Sequence, residues 1–81
     1  MNQAELEAGV RQALAQIAPE TAGETIDPTI NFRDQLDFDS MDFLNFVIAL
    51  HQRFGVDIAE ADYPKLSNLQ GCLRYLSAKV A

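Results

Sequence analysis

Ser40 sits between two carboxylates in the run Phe38-Asp39-Ser40-Met41-Asp42. Asp39 is suited to accept hydrogen bonds from the first unpaired amides of a helix. Asp42 stands three residues on, so the pair reads as an N-terminal cap. Phe38 and Phe43 fall at the two positions of a hydrophobic staple, which fixes the angle at which the chain enters the helix. Ser40 is then the first residue of that helix, at its tip, with its hydroxyl in water. A serine held there is well placed to be modified and poorly placed to be core.

The same residues do not assemble a catalyst. Ser40 lacks the Gly-x-Ser-x-Gly elbow of serine hydrolases. The only histidine, His51, lies eleven residues along the same helix, which is about 16 Å at 1.5 Å per residue, whereas a dyad needs contact near ~3 Å. His51 reads as a solvated surface residue. Asp37, Asp39 and Asp42 resemble a calcium loop only superficially, because Met41 stands where an oxygen ligand is needed and Asp42 where glycine is needed. No cavity is implied that would keep a substrate dry for a paired-carboxylate hydrolase. Cys72 has no second cysteine and only one histidine to join it, which rules out an internal disulfide and a zinc site. It reads as a small buried apolar residue. The chain does not look like an enzyme.

Several elements must position the serine. Asn2 with Glu5 opens a first helix over about residues 3–18, whose apolar face is Leu6, Val10, Leu14 and Ile17, with Ala13 beside them; Pro19 stops it. Residues 19–39 carry Pro19, Gly23, Pro28 and many Thr, Asp and Asn without a sustained period, so they read as a long connection. Burial of Ile26, Ile30, Phe32, Leu36 and Phe38 is expected to pin it as an ordered loop. The alternation Ile30-Asn31-Phe32-Arg33 has no second strand to pair with.

The second helix runs from Ser40 to Phe54 and ends before Gly55. At about 100° per residue its apolar side chains fall into two groups. Phe43, Phe46, Val47, Leu50 and Phe54 face the core, while Met41, Leu44 and Ile48 lie largely away from it. Wrapping both faces is hard in 81 residues, which favours a partner on the second. After Val56-Asp57-Ile58, a short helix-like run at Ala59–Tyr63 is expected to end at Pro64. The last helix opens with the Ser67-Asn68-Leu69-Gln70 capping box and carries the stripe Leu69, Leu73, Leu76 and Val80, flanked by Cys72 and Tyr75. Arg74 and Lys79 complement its dipole. The expected fold is all-α: a small four-helix bundle, three longer helices plus one short helix, with a long ordered loop between helices one and two.

Eighty-one residues fit one domain spanning 1–81. Twelve acidic against six basic side chains leave a net charge of −6, which argues against nucleic acid and suits basic patches on other proteins. Glu5 and Glu7 interrupt the N-terminus, so no signal peptide is read there. The run Phe46–Leu50 is too short for membrane insertion. The expectation is a soluble, cytoplasmic monomer, free-standing because it starts at Met1 without a linker.

Asp39-Ser40-Met41, opening a long helix after an extended loop, resembles the Asp-Ser-Leu signature of acyl carrier proteins. The likeness extends to Phe54, Ile58, the Ser67 capping box and the closing Leu73-Arg74-Tyr75-Leu76. It implies that Ser40 receives 4′-phosphopantetheine from coenzyme A through a separate, magnesium-dependent phosphopantetheinyl transferase, with Asp39 helping that enzyme hold its metal. The arm's thiol would then carry an acyl chain as a thioester between acyl-loading and acyl-using enzymes of fatty-acid, lipid or polyketide-type biosynthesis. Met41, Asp42, Leu44 and Ile48 would form the docking strip. The helix dipole tolerates a phosphodiester at the tip, while Asp39 and Asp42 repel it, so the arm is expected to project outward and stay mobile.

Two departures from the family pattern stand out. Met41 replaces leucine, a near-isosteric change. Asn45, His51, Gln52 and Arg53 follow Asp42 where the family commonly has carboxylates, which suggests a specialised carrier with its own enzymes. Two other readings remain open: an aminoacyl or peptidyl carrier using the same serine, and an unmodified helical adaptor binding through Met41, Leu44 and Ile48. The five phenylalanines read as ordinary core, with a pocket for a fatty chain as the alternative.

Overall fold

In a computed structural model, residues 2–19 and 25–80 are described. The Asn2 side chain accepts from the Glu5 amide at 2.8 Å and starts α1, Gln3–Ile17. The predicted stripe faces inward: Leu6, Val10, Ala13 and Leu14 are buried and Ile17 is half-buried.

The connection to the next long helix is ordered where it is described, and it contains one turn of helix that its sequence did not announce. This is α2, Phe32–Gln35. A single turn has no stability of its own and no period to betray it. Here it is held from outside, by the buried Phe32 ring and by the Gln35 amide, which donates to the carbonyls of Asp27 and Ile30 at 2.8 Å each. Ile26, Phe32, Leu36 and Phe38 are buried as expected. Ile30 is not: it ends the Asp27–Thr29 turn and stays 42% exposed. The stretch 20–24 of the expected ordered loop lies outside the described residues.

Helix α3 spans Ser40–Phe54 and stops at Gly55, whose φ of 66° is left-handed and whose amide returns to His51 O. Phe46, Val47, Ala49 and Leu50 are buried, and Phe43 and Phe54 pack partly buried at the edges. The rings of Phe32, Phe38 and Phe46 meet with centroids 5.3–6.0 Å apart, so the loop is anchored to α3 by aromatic contact.

Pro64 does not end the short element. A 3₁₀ helix continues through it, Glu60–Leu66. Proline removes one backbone donor, and side chains compensate on both sides: Tyr63 packs edge-on against Phe43 at 6.1 Å, Leu66 is fully buried, and the Ser67 hydroxyl donates to Pro64 O at 2.9 Å. That bond also displaces the expected capping box. Ser67 closes the 3₁₀ helix, and the cap of α4, Leu69–Val80, is Asn68, whose Oδ1 accepts from the Gly71 amide at 2.7 Å. Leu69, Cys72, Leu73, Tyr75 and Leu76 are buried.

Helix α1 packs on both α3 and α4, and α4 packs on the 3₁₀ helix. The loop is stitched to the junction before α4 by Phe32 N to Ser67 O at 2.8 Å and by Gln70 N to Pro28 O at 2.9 Å. The result is an all-α bundle of three longer helices and a short 3₁₀ helix around one core, with α2 added in the loop. Among the described residues no strand forms, and no helix is long and apolar enough to cross a membrane.

Candidate functional site

The tip of α3 is fixed by a reciprocal cap. Asp39 is extended, its Oδ1 accepts from the Asp42 amide at 2.8 Å, and Asp42 Oδ2 accepts from the Asp39 amide at 3.3 Å. Phe38 and Phe43 both pack on Phe46, at 6.0 and 6.5 Å, so the staple works through that third ring. Ser40 is the first helical residue and is exposed, where the sequence put it.

Its hydroxyl is not simply in water. Arg33, on α2, donates from Nη2 to Ser40 Oγ at 2.7 Å. Sequence reasoning passed over this residue, although one signal was available: Arg33 is the only cation between Arg11 and Arg53. Beside the pair opens a pocket of about 390 Å³, walled by Arg33, Ser40, Phe43, Leu44, Tyr63 and Pro64. That volume is at the small end for ligand sites.

Met41, Leu44 and Ile48 are 64%, 40% and 44% exposed, so the second face of α3 is uncovered in the way its angular spacing predicts. Leu44 borders the pocket next to Ser40, and Ile48 borders a second, more open hollow with His51 and Lys79. Tyr63 separates the two hollows.

His51 lies in the last turn of α3, at the far end from Ser40, and the two form no dyad. Its ring is exposed but engaged: Nδ1 donates to Val56 O at 2.8 Å and lies 3.8 Å from Asp57 Oδ1. Arg33 offers Ser40 only donors and never serves as a base. The site therefore presents an exposed alcohol whose oxygen, among the described residues, is bonded to a donor and to no base.

Cys72 is fully buried, donates weakly to Leu66 O at 3.4 Å, and has its thiol pushed up to about 12 by burial. It is inert as a nucleophile. Tyr75 donates to Asp62 Oδ2 at 2.9 Å, and Lys65 lies 3.2 Å from Asp62 Oδ1. The Tyr75 hydroxyl, followed by Lys65, holds the Asp62 carboxyl below its ordinary value; burial and then the Asp62 carboxylate hold Tyr75 above its own. This pair ties the 3₁₀ helix, and with it the wall carrying Tyr63, to α4. Among the described residues no cluster of three or more His, Cys, Asp or Glu side chains is arranged to hold a metal.

Residues 8–76 match the family model described as "Phosphopantetheine attachment site". The chain belongs to the acyl carrier protein family. It is 33% identical over 82 residues to the acyl carrier protein of Thermosynechococcus vestitus, covering 100% of this chain and 99% of that one. It is 32% identical over 56 residues to the acyl carrier protein of Chloroherpeton thalassium, covering 69% and 70%. It is 30% identical over 71 residues to "Polyketide-8 synthase acyl carrier protein 2" of Streptomyces avermitilis, covering 88% and 80%. Acyl carrier proteins are carriers, not catalysts, and are served by a phosphopantetheinyl transferase and by biosynthetic enzymes. Phosphopantetheine is the prosthetic group of the family. The site of this carrier fits such a group: an exposed primary alcohol at a rigid tip, a cation on its oxygen, and an open pocket alongside.

Proposed function

We propose that Ser40 is the attachment point of 4′-phosphopantetheine, and that the carrier shuttles acyl groups as thioesters on that arm between enzymes of fatty-acid, lipid or polyketide-type biosynthesis in the cytoplasm. The observation that carries this is the exposed Ser40 hydroxyl at the first position of a doubly capped α3. The cap uses one oxygen of each Asp39 and Asp42 carboxylate, so the tip is rigid while the second Asp39 oxygen stays available to the transferase's metal. When attached, the arm supplies the thiol on which cargo travels. The chain's own residues present it: α3 holds the tip, and Met41, Leu44 and Ile48, with Asp42 at their head, give partner enzymes an apolar surface to grip.

Beyond Asp42, α3 carries no further carboxylate; Asn45, His51, Gln52 and Arg53 stand on it instead. Complementary charge sets partner choice and encounter rate. This composition supports a carrier with dedicated enzymes over one that serves a strongly basic general set.

Incubation of the unmodified protein with coenzyme A and a broad-specificity transferase tests the reading by intact mass. The expected result is the gain of one phosphopantetheine, absent in Ser40→Ala. A folded protein that gains nothing would instead be an unmodified adaptor using Met41, Leu44 and Ile48. The acylated product, offered to general fatty-acid enzymes, is expected to be a poor substrate; turnover equal to that of their own carrier would count against a dedicated pathway.

A further inference from the structure

Arg33 holds a full positive charge against a neutral oxygen. Its Nη2 donates to Ser40 Oγ at 2.7 Å, and among the described residues no carboxylate forms an ion pair with it. This occurs in a chain of net charge −6, with Asp34, Asp37, Asp39 and Asp42 all within nine residues of it. A guanidinium has five donors in a rigid fork shaped for an oxyanion, and an alcohol uses only one of them.

We propose that Arg33 is the clamp for the phosphate of the prosthetic arm: once Ser40 is esterified, the guanidinium pairs with the phosphodiester and holds the first linkage of the arm over the adjoining pocket. The proposal rests on Ser40 being the attachment point. Esterification forms the Ser40 Oγ–phosphorus bond as the pyrophosphate of coenzyme A is cleaved, with adenosine 3′,5′-bisphosphate as the leaving group and the hydroxyl proton released. The bridging oxygen becomes a weaker acceptor, and the charged phosphate oxygens beside it become the better partners for Arg33. The free phosphate oxygens then bring a negative charge two bonds beyond Oγ, toward the remaining donors of the same fork. Asp39 and Asp42 repel that charge, but each turns an oxygen to a backbone amide in the cap, and Arg33 is the cation on the attachment oxygen.

Arg33 is also held in place. It rides on α2, whose first amide is bonded to Ser67 O at 2.8 Å and whose Phe32 ring is buried. Arg33 also lines the pocket with Ser40, Phe43, Leu44 and Tyr63, so pairing with phosphate would start the arm beside that pocket. Repulsion by two carboxylates alone would favour an arm projecting freely outward; an anchored cation at its root opposes that.

The test compares unmodified and modified forms of the wild type, Arg33→Lys and Arg33→Gln by thermal unfolding at low salt and by phosphorus NMR. Intact mass first establishes whether the arm is present, and a chain that accepts none overturns the attachment reading and the clamp together. With the arm present, modification is expected to change Tm more favourably in the wild type than in Arg33→Gln by about 1–8 °C, the range for one exposed ionic contact in a domain of this size. Arg33→Lys should fall between them. The difference should fade in ~1 M salt, where the screening length is about 3 Å. The wild-type phosphorus resonance should differ from that of Arg33→Gln and converge on it as salt rises. Equal Tm changes and coincident phosphorus resonances in the two proteins, both carrying the arm, would overturn the clamp and leave the attachment reading standing.

Discussion

Tyr75 and Asp62 form a contact that titrates from both sides. The Asp62 carboxyl is held below its ordinary value when folded, so its contribution is complete above the unfolded value of about 3.9 and is lost as pH falls through the folded one. Tyr75 is raised, so its contribution is complete below the unfolded value of about 10 and is lost as pH rises through the folded one. Melting temperature measured against pH should therefore show a plateau with a fall at each end. Tyr75→Phe should lower the plateau and soften the fall at each end, with Cys72, pushed up to about 12 by burial, keeping part of the alkaline fall in that variant. Asp27, also held low, by the Thr29 amide and then the Thr29 hydroxyl, keeps part of the acid fall in that variant. An alkaline limb unchanged in Tyr75→Phe would show that the tyrosine contributes nothing to it and that the buried Cys72 thiol accounts for the fall. At this scale Ser40 was legible because its exposure is decided by residues within three positions of it. Arg33 was not, since its contact with Ser40 depends on the path of a loop that no local rule sets.

The junction between the 3₁₀ helix and α4 gives a test at the level of elements. Asn68→Ala removes the cap on the Gly71 amide and should cost about 1 kcal/mol in urea unfolding. Ser67→Ala should cost less, because its hydroxyl closes only the end of the 3₁₀ helix; the reverse order would restore Ser67 as the cap. Gly71→Ala is informative because helix propensity alone favours it by about 1 kcal/mol. A Cβ there would meet the Lys65 carbonyl oxygen, a backbone atom with little room to yield, and net destabilisation of roughly 1–3 kcal/mol is expected. Helices α1, α3 and α4 could be read in the sequence because each repeats its apolar period over several turns. The single turn of α2 has no period, and the path through Pro64 is set by Phe43, Leu66 and Ser67, which only folding brings to it.

For the molecule as a whole, the apolar stripes were enough to foretell one core, and the angular arithmetic of α3 was enough to foretell which of its faces stays uncovered. The pocket beside Ser40 was out of reach, because its walls come from α2, α3 and the 3₁₀ helix and its volume depends on how they meet. The burial of Cys72 has a consequence for the finished carrier. With its sulfur shut in and its thiol pushed up to about 12, the unmodified chain should be blank to maleimide or to an aromatic disulfide until denaturant opens it. The modified chain should consume one equivalent promptly. A dye or spin label could then be hung on the arm of the native sequence without first mutating a competing cysteine, and a native unmodified chain that took up label would mean the interior opens far more readily than its packing suggests.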